Sequence, residues 1–235
     1  MVKIRLDKFI SSQLNLSRTE AKANIRKGFV CIDNIVEKDP SHIFDSDSSI
    51  VSFKGQAIKY SKYRYIIMNK PKGVLSASND KNRKTVVDLV PENLKRQGLF
   101  PVGRLDKDTT GLLIITDDGD FAHRVISPKS AIPKTYIAEL DGNITGSDIE
   151  LFSKGVTLKD GTVCKSAILK SLGETKVEIT ITEGKYHQIK RMFGVIGLGV
   201  NSLHRASIGA LKLPKTLLFG QCVEISAEEL QILCL

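Results

Sequence analysis

Residues 103–117 read Gly103-Arg104-Leu105-Asp106-Lys107-Asp108-Thr109-Thr110-Gly111-Leu112-Leu113-Ile114-Ile115-Thr116-Asp117. An arginine and a carboxylate stand in a turn bounded by Gly103 and Gly111, which allow close backbone approach. A run of apolar β-formers, Leu112 to Ile115, leads away from it. That order puts Asp106 at the entrance of a buried strand, where a rigid element holds it still. A lone aspartate in a turn is ordinarily a capping or turn residue. Here the flanking glycines and the buried strand make Asp106 a catalytic candidate.

The surrounding chain has 235 residues, enough for one large or two modest domains. Its 41% hydrophobic content supports a core. A formal charge of +9 favours an anionic partner, nucleic acid first, because neutralised phosphates release counterions. Cys31, Cys164, Cys222 and Cys234 show neither metal-ligand nor redox spacing. His42, His123, His187 and His204 lack ligand spacing, so no metal is expected. The first residues carry no apolar signal core, and no stretch approaches the roughly 20 apolar residues that cross a bilayer. A cytoplasmic protein in a reducing compartment, away from membranes, is the expectation.

The first quarter of the chain is distinct. Leu6, Phe9, Ile10 and Leu14 recur at helical spacing. Ser17 and Glu20 form a capping-box pattern for a second helix, which Gly28 stops. On that helix Arg18, Lys22 and Arg26 recur every four residues and make one basic stripe. Residues 3–27 carry a net +5, more than half of the total. Two apolar runs around Asp33-Asn34 predict a hairpin, and a strand is expected over Ile50–Phe53. Residues 58–64 read as a polar linker.

Beyond it, strands are predicted at Tyr65–Met68, Lys134–Leu140, Val163–Leu169 and Val177–Thr182. Helices are predicted at 85–90, 118–127, 147–154 and 186–196. Regular βαβ alternation is missing, so the fold class is α+β with a mixed, mainly antiparallel sheet. Two further segments attract attention. Tyr136 follows Lys134-Thr135 and shares a strand face with Ala138 and Leu140. In Glu183-Gly184-Lys185-Tyr186-His187-Gln188-Ile189-Lys190-Arg191-Met192-Phe193, the apolar positions form a buried helix stripe. Lys190 borders that stripe, whereas Arg191 lies farther round, toward solvent or RNA.

Together these motifs resemble the RNA pseudouridine synthases, in the branch that modifies ribosomal RNA. Asn69-Lys70-Pro71-Lys72-Gly73, Gly103-Arg104-Leu105-Asp106, Lys134-Thr135-Tyr136, the 183–193 run and Leu203-His204-Arg205 follow the family's order. Residues 3–57 resemble the S4 RNA-binding domain. The implied organisation is an S4-like domain over 1–60 and a catalytic domain over 61–235.

The resemblance implies a catalytic set of Asp106, Tyr136 and Lys190, with Lys190 pairing the aspartate and Tyr136 stacking on uracil. It implies RNA contacts from Arg104, Arg18, Lys22, Arg26, Arg191 and Arg205. His187 is expected to be structural or RNA-contacting. The wording of 185–193 is closest to the small-subunit branch, which implies uridine 516 of 16S rRNA. The substrate would be ribosomal RNA within a small-subunit assembly intermediate, and the enzyme a monomer. The reaction is an isomerisation and requires no cofactor. A 23S rRNA target, a base-releasing glycosylase using the same acid, and a non-catalytic ribosome-assembly factor are the alternatives.

Overall fold

The computed structural model describes residues 3–231, so Cys234 lies outside it. The chain divides into two compact units. The first holds residues up to Arg64 together with Pro91–Leu99, and the second holds Tyr65–Val90 with Phe100 onward.

In the first unit, β1 (Lys3–Arg5) leads into α1 (Leu6–Gln13) and α2 (Arg18–Arg26). Ser17 caps α2 as its sequence predicts: its hydroxyl accepts from the Glu20 N–H at 3.2 Å, and its own N–H donates to the Glu20 carboxylate at 2.7 Å. Strands β2 (Val30–Ile32) and β3 (Ile35–Val36) form the expected hairpin. Asp33 (φ 51°) and Asn34 (φ 68°) supply its left-handed turn. β4 (Ile43–Asp45) pairs with β1, while β5 (Val51–Phe53) and β6 (Gln56–Ile58) complete a sheet of order β3-β2-β5-β6. Leu6, Phe9, Ile10, Ala21 and Ile25 are buried beneath it, with the Phe9 ring edge-on to Phe44 at 5.2 Å.

The stretch read as a linker is built in. The Gln13 amide donates to the Ser61 carbonyl at 3.1 Å, and Arg96 donates to the same carbonyl at 3.1 Å and to that of Lys62 at 3.2 Å. Residues 91–99 thus belong to the first unit although they lie far along the chain.

The second unit is built on one sheet. Its strands are β7 (Tyr65–Lys70), β8 (Phe100–Pro101), β9 (Thr110–Thr116), β10 (Lys134–Leu140), β11 (Ile168–Ser171), β12 (Lys176–Ile181), β13 (Val200–Ile208), β14 (Leu211–Lys212) and β15 (Cys222–Glu224). The order is β11-β12-β10-β13-β9-β7-β15, with β14 on β13 and β8 on β9. Every pairing is antiparallel except β9 with β13, so the sheet is mixed and mainly antiparallel. Helices α3 (Gly119–Ile126), α4 (Gly146–Lys154), α5 (Gln188–Val195) and α6 (Ala227–Gln231) complete the unit. α4 and α5 pack Phe152, Ile189, Met192 and Phe193 with Tyr136 and Ala138 of β10 and with Ile179 of β12. α3 packs Phe121 and Val125 with Leu112 and Ile114.

Two predicted elements differ. The helix expected at 85–90 is a single 3₁₀ turn, Val87–Leu89. Two β-branched residues, Thr85 and Val86, precede it, and the Thr85 N–H and hydroxyl both turn onto the Asp88 carboxylate (2.8 and 2.9 Å). The strand expected at Val163–Leu169 begins only at Ile168. Before that, the Cys164 N–H donates to Val156 and the Ala167 N–H to Phe152, both at 2.9 Å, so these groups never reach a sheet neighbour.

The parallel pairing of β9 and β13 sets the register that matters most. Arg205 lies opposite Gly111, which adopts φ +104°. A Cβ there would sit 2.3 Å from the Arg205 carbonyl oxygen. Gly111→Ala is therefore expected to destabilise the protein by about 2–4 kcal/mol, through overlap plus a left-handed alanine. Thermal denaturation checks this: a melting temperature unchanged from the parent contradicts the assignment.

Candidate active site

The loop between β8 and β9 is clamped from beneath. Lys70, at the end of β7, is fully buried. Its ammonium lies 3.0 Å from the Pro71 carbonyl, 3.2 Å from Asp106, 3.3 Å from Lys107 and 2.9 Å from Thr109. Three N–H groups share these acceptors, so one cation holds the backbone of the whole turn. Burial lowers the Lys70 pKa to about 8, and the Asp108 and Asp106 carboxylates oppose that fall. Ser76 adds a second clamp, its hydroxyl donating to the Leu105 carbonyl at 2.9 Å and accepting the Leu105 N–H at 3.0 Å. Leu105 is buried, while the Asp106 carboxyl is about one-third exposed. The sequence placed Lys70 in the Asn69–Gly73 motif after a strand and gave it no role. A lysine closing a run of buried residues was the available signal.

Tyr136 comes from β10 and is buried. The ladder to β13 is irregular there: Thr135 faces Ser207, whereas Tyr136 faces Arg205, leaving Ala206 as a bulge. Directly opposed residues share a sheet face, so the bulge sets Arg205 beside Tyr136. Arg205 Nε donates to the Leu112 carbonyl at 2.8 Å, and Nη1 lies 3.5 Å from the Tyr136 hydroxyl. This corrects the expectation of Arg205 as an open RNA contact, since only 3% of it is exposed. Its position on the inward face of β13 is the cause.

The third element is α5 and the turn before it. Burial alone would raise the Glu183 carboxyl. Hydrogen bonds from Lys185, the Lys165 N–H and Gln188 outweigh it and hold that carboxyl below the usual range. His187 begins the helix in a left-handed conformation (φ 46°) and stacks on Tyr186 with ring centroids 3.9 Å apart. Its Nε2 lies 3.6 Å from the Asp106 carboxylate. Lys190 pairs not with Asp106, as the resemblance implied, but with Asp108 at 2.5 Å. Asp108 lies two residues farther along the same turn and is more exposed, within reach of the flexible lysine stem. The hydrogen bond from Lys190 lowers the Asp108 pKa. Arg191 is tied to Asp160 at 2.5 Å rather than pointing freely outward.

These elements enclose a cleft of about 90 Å³ whose lining includes Arg104, Asp106, Thr109, Tyr136, His187 and Lys190. The structure therefore gathers all three expected catalytic side chains around one opening. Arg104 is exposed at its edge. The Thr109 hydroxyl is buried without a hydrogen-bond partner. Among the described residues, no group of three or more His, Cys, Asp or Glu could hold a metal ion.

The basic stripe of the first unit has its own organising residue. Asp7 is fully buried and accepts hydrogen bonds from Arg5 (3.1 Å) and Arg18 (3.1 Å), with Lys22 at 3.9 Å. Burial would raise this carboxyl, but the two arginines outweigh it and hold it below its ordinary value. The outer sides of Arg18 and Lys22 stay exposed (58% and 44%), and Arg26 lies exposed on the same helix.

Residues 64–194 match the family model described as RNA pseudouridylate synthase, more than half of the chain, and residues 4–50 match the S4 domain. The chain belongs to the RNA pseudouridylate synthase family. An uncharacterized RNA pseudouridine synthase of Bacillus subtilis is 42% identical over 98% of both chains. The ribosomal small subunit pseudouridine synthase A of Vibrio cholerae is 40% identical, covering 96% of this chain and 97% of that one. Its Escherichia coli counterpart is 36% identical over 97% and 98%. A crystal structure of a pseudouridylate synthase superposes with a TM-score of 0.69 at 33% identity, covering 98% of this chain and 99% of that one.

Proposed function

We propose that this pseudouridine synthase isomerises one uridine of small-subunit ribosomal RNA, at the position corresponding to uridine 516 of 16S rRNA. The observation that carries the site is the convergence of Asp106, Tyr136 and Lys190 on one cleft. The similarity to small-subunit enzymes along nearly the whole chain supports the substrate. The substrate would be presented in a ribosome-assembly intermediate and handled by a monomer in the cytoplasm.

In this reading the target leaves its stack and enters the cleft, because the reacting bond is unreachable inside folded RNA. Asp106 attacks C1′, or removes the 2′ proton to give a glycal. Either route breaks the N1–C1′ bond. The uracil turns while bound, C5 bonds to C1′, and the C5 proton is lost as N1 gains one. The product is an isomer of the substrate. Tyr136 stacks on the ring and helps pass the C5 proton on to solvent. The Thr109 hydroxyl, which lacks a partner, hydrogen-bonds the nucleotide. Lys190 supplies positive charge at the rim of the cleft, where it pairs with Asp108, and His187 Nε2 lies 3.6 Å from the Asp106 carboxylate. Arg104 fills the space left in the RNA or grips a phosphate.

Pseudouridine mapping in both ribosomal RNAs of a deletion strain tests the substrate. One missing small-subunit site is expected, and a missing large-subunit site would replace this reading with its rival. Loss of C5 tritium without release of free uracil separates isomerisation from glycosylase activity.

The stripe on α2 would supply phosphate contacts. Replacing Arg18, Lys22 and Arg26 by glutamine is expected to weaken RNA binding. It should also flatten the plot of log affinity against log salt by about 2–3 units of slope, given about 0.7–0.9 per lost phosphate contact. Arg5 remains on Asp7 in that variant. An unchanged slope removes the stripe from the interface.

A further inference from the structure

Beside the catalytic cleft lies a second, larger cavity of about 550 Å³. The two share Arg104, Tyr136, Gly184 and Lys185 in their walls. The remaining wall is mainly apolar, from Val102, Val125, Ile126, Pro128 and Ile208. Its charged members are Arg104, Lys134, Lys185, Arg205 and one acid, Glu183, which already pairs with Lys185 at 2.5 Å. The excess is positive.

Two of the basic groups, Lys134 and Arg205, are withdrawn from solvent. Lys134 donates to the Ile132 carbonyl at 3.0 Å, and burial, with Arg205 nearby, lowers its pKa. Arg205 is almost wholly buried, and its Nη2 has no hydrogen-bond partner. A buried donor left unpaired costs about 1–3 kcal/mol, a penalty that a ligand acceptor relieves. An apolar wall facing buried cations suits a flat heterocycle carrying acceptor oxygens or a phosphate. The volume of about 550 Å³ falls within the roughly 300–1,000 Å³ of small-molecule sites.

We propose that this cavity receives the nucleotide adjoining the target uridine in the same RNA strand, turned out of its stack together with the target. Its base lies against Ile126, Pro128 and Ile208. Its acceptor atoms, on the base edge or the phosphate, meet Arg205 Nη2 and Lys134. Four shared wall residues put the two cavities within reach of consecutive nucleotides. The enzyme thereby reads a base next to the one it changes. This inference rests on the Asp106 cleft being the uridine site, and the test separates the two ideas.

Full-length protein carrying Asp106→Asn is irradiated with small-subunit rRNA transcripts containing a single 4-thiouridine. The label stands at the mapped target, one position 5′, or one position 3′. The target arm is expected to label the cleft segments, 104–109 or 136. One flanking arm is expected to label 125–134. If the target arm labels the cleft and neither flank labels the cavity wall, the second subsite is overturned. If the target arm misses the cleft, the catalytic reading fails and this inference with it.

Kinetics give an independent readout. Ile126 is about half exposed, so Ile126→Trp narrows the cavity without touching Asp106, Tyr136 or Lys190. KM is expected to rise about tenfold, a loss of about 1.4 kcal/mol in binding, with kcat nearly constant. An abasic substitution at the labelled flank should raise the parent enzyme's KM similarly and leave that of the variant unchanged. Ile126→Ala, which keeps the cavity open, should retain the parent's discrimination. Equal KM values for parent and Ile126→Trp enzymes overturn the proposal.

Discussion

Asp106→Asn protein is expected to fold, to bind its RNA with parental affinity, and to convert uridine at a rate lower by on the order of 10⁴-fold. The expectation follows from where the fold spends its interactions. The Asp106 backbone is held by the Lys70 ammonium at 3.2 Å and by the Thr109 N–H at 3.1 Å, neither of which involves the carboxylate. The side chain is about one-third exposed and faces the cleft, with His187 Nε2 3.6 Å from its carboxylate. An amide of the same shape keeps the turn but can neither attack C1′ nor remove the 2′ proton. A melting temperature within a degree or two of the parent, intact RNA binding and no C5 tritium release are the expected set. Substantial tritium release from this variant would falsify the catalytic assignment. A ribosome-assembly factor without catalysis, by contrast, would function normally with asparagine.

Lys70→Met is expected to lower kcat about 10²-fold while RNA affinity stays near that of the parent. The lysine does not line the cleft and holds only backbone carbonyls of the turn, so it is a positioning residue for the segment that carries Asp106. Removing it frees several loop carbonyls, and a shift of about 1 Å at a reacting group suffices for a loss of this size. The pH dependence distinguishes this from simple destabilisation. Burial lowers Lys70 from 10.5 to about 8. Between pH 8 and 10.5 the unfolded chain keeps this proton while the folded protein has released it. The unfolded state binds more protons there, so the Lys70 contribution to stability rises with pH across that window. Activity runs the other way, because the neutral amine offers one N–H fewer to the loop. The parent enzyme should lose kcat above pH about 8 without a matching loss of thermal stability. The variant should be slow at every pH and lack that alkaline limb. A Lys70→Met enzyme with parental rate and pH profile would mean that the turn holds itself.

Much of this was legible in the chain. Helical spacing in α1, the Ser17–Glu20 cap and the Asp33-Asn34 turn depend on neighbours a few residues away, and each appears where the pattern places it. Alternation along β10 and β12 likewise fixes which side chains enter the core, Tyr136 among them. The 85–90 and 163–167 segments misled for a local reason. Their backbone groups find side-chain or loop partners that hydrophobic spacing does not encode.

The sequence by itself determined the class of fold, the two-part organisation and the acid at the mouth of a strand. Short-range periodicity and turn chemistry carry that information, whereas Tyr136 and Lys190 were tied to the acid only by the resemblance of their motifs to the family's. Tertiary structure alone decided that Lys70 clasps the Asp106 turn, that Lys190 answers Asp108, and that Arg205 faces inward beside Tyr136. It also decided that 91–99 joins the first unit and that a second cavity opens next to the first. Those partners stand tens of residues apart. Only strand order, the parallel β9–β13 contact and the bulge at Ala206 bring them to one place.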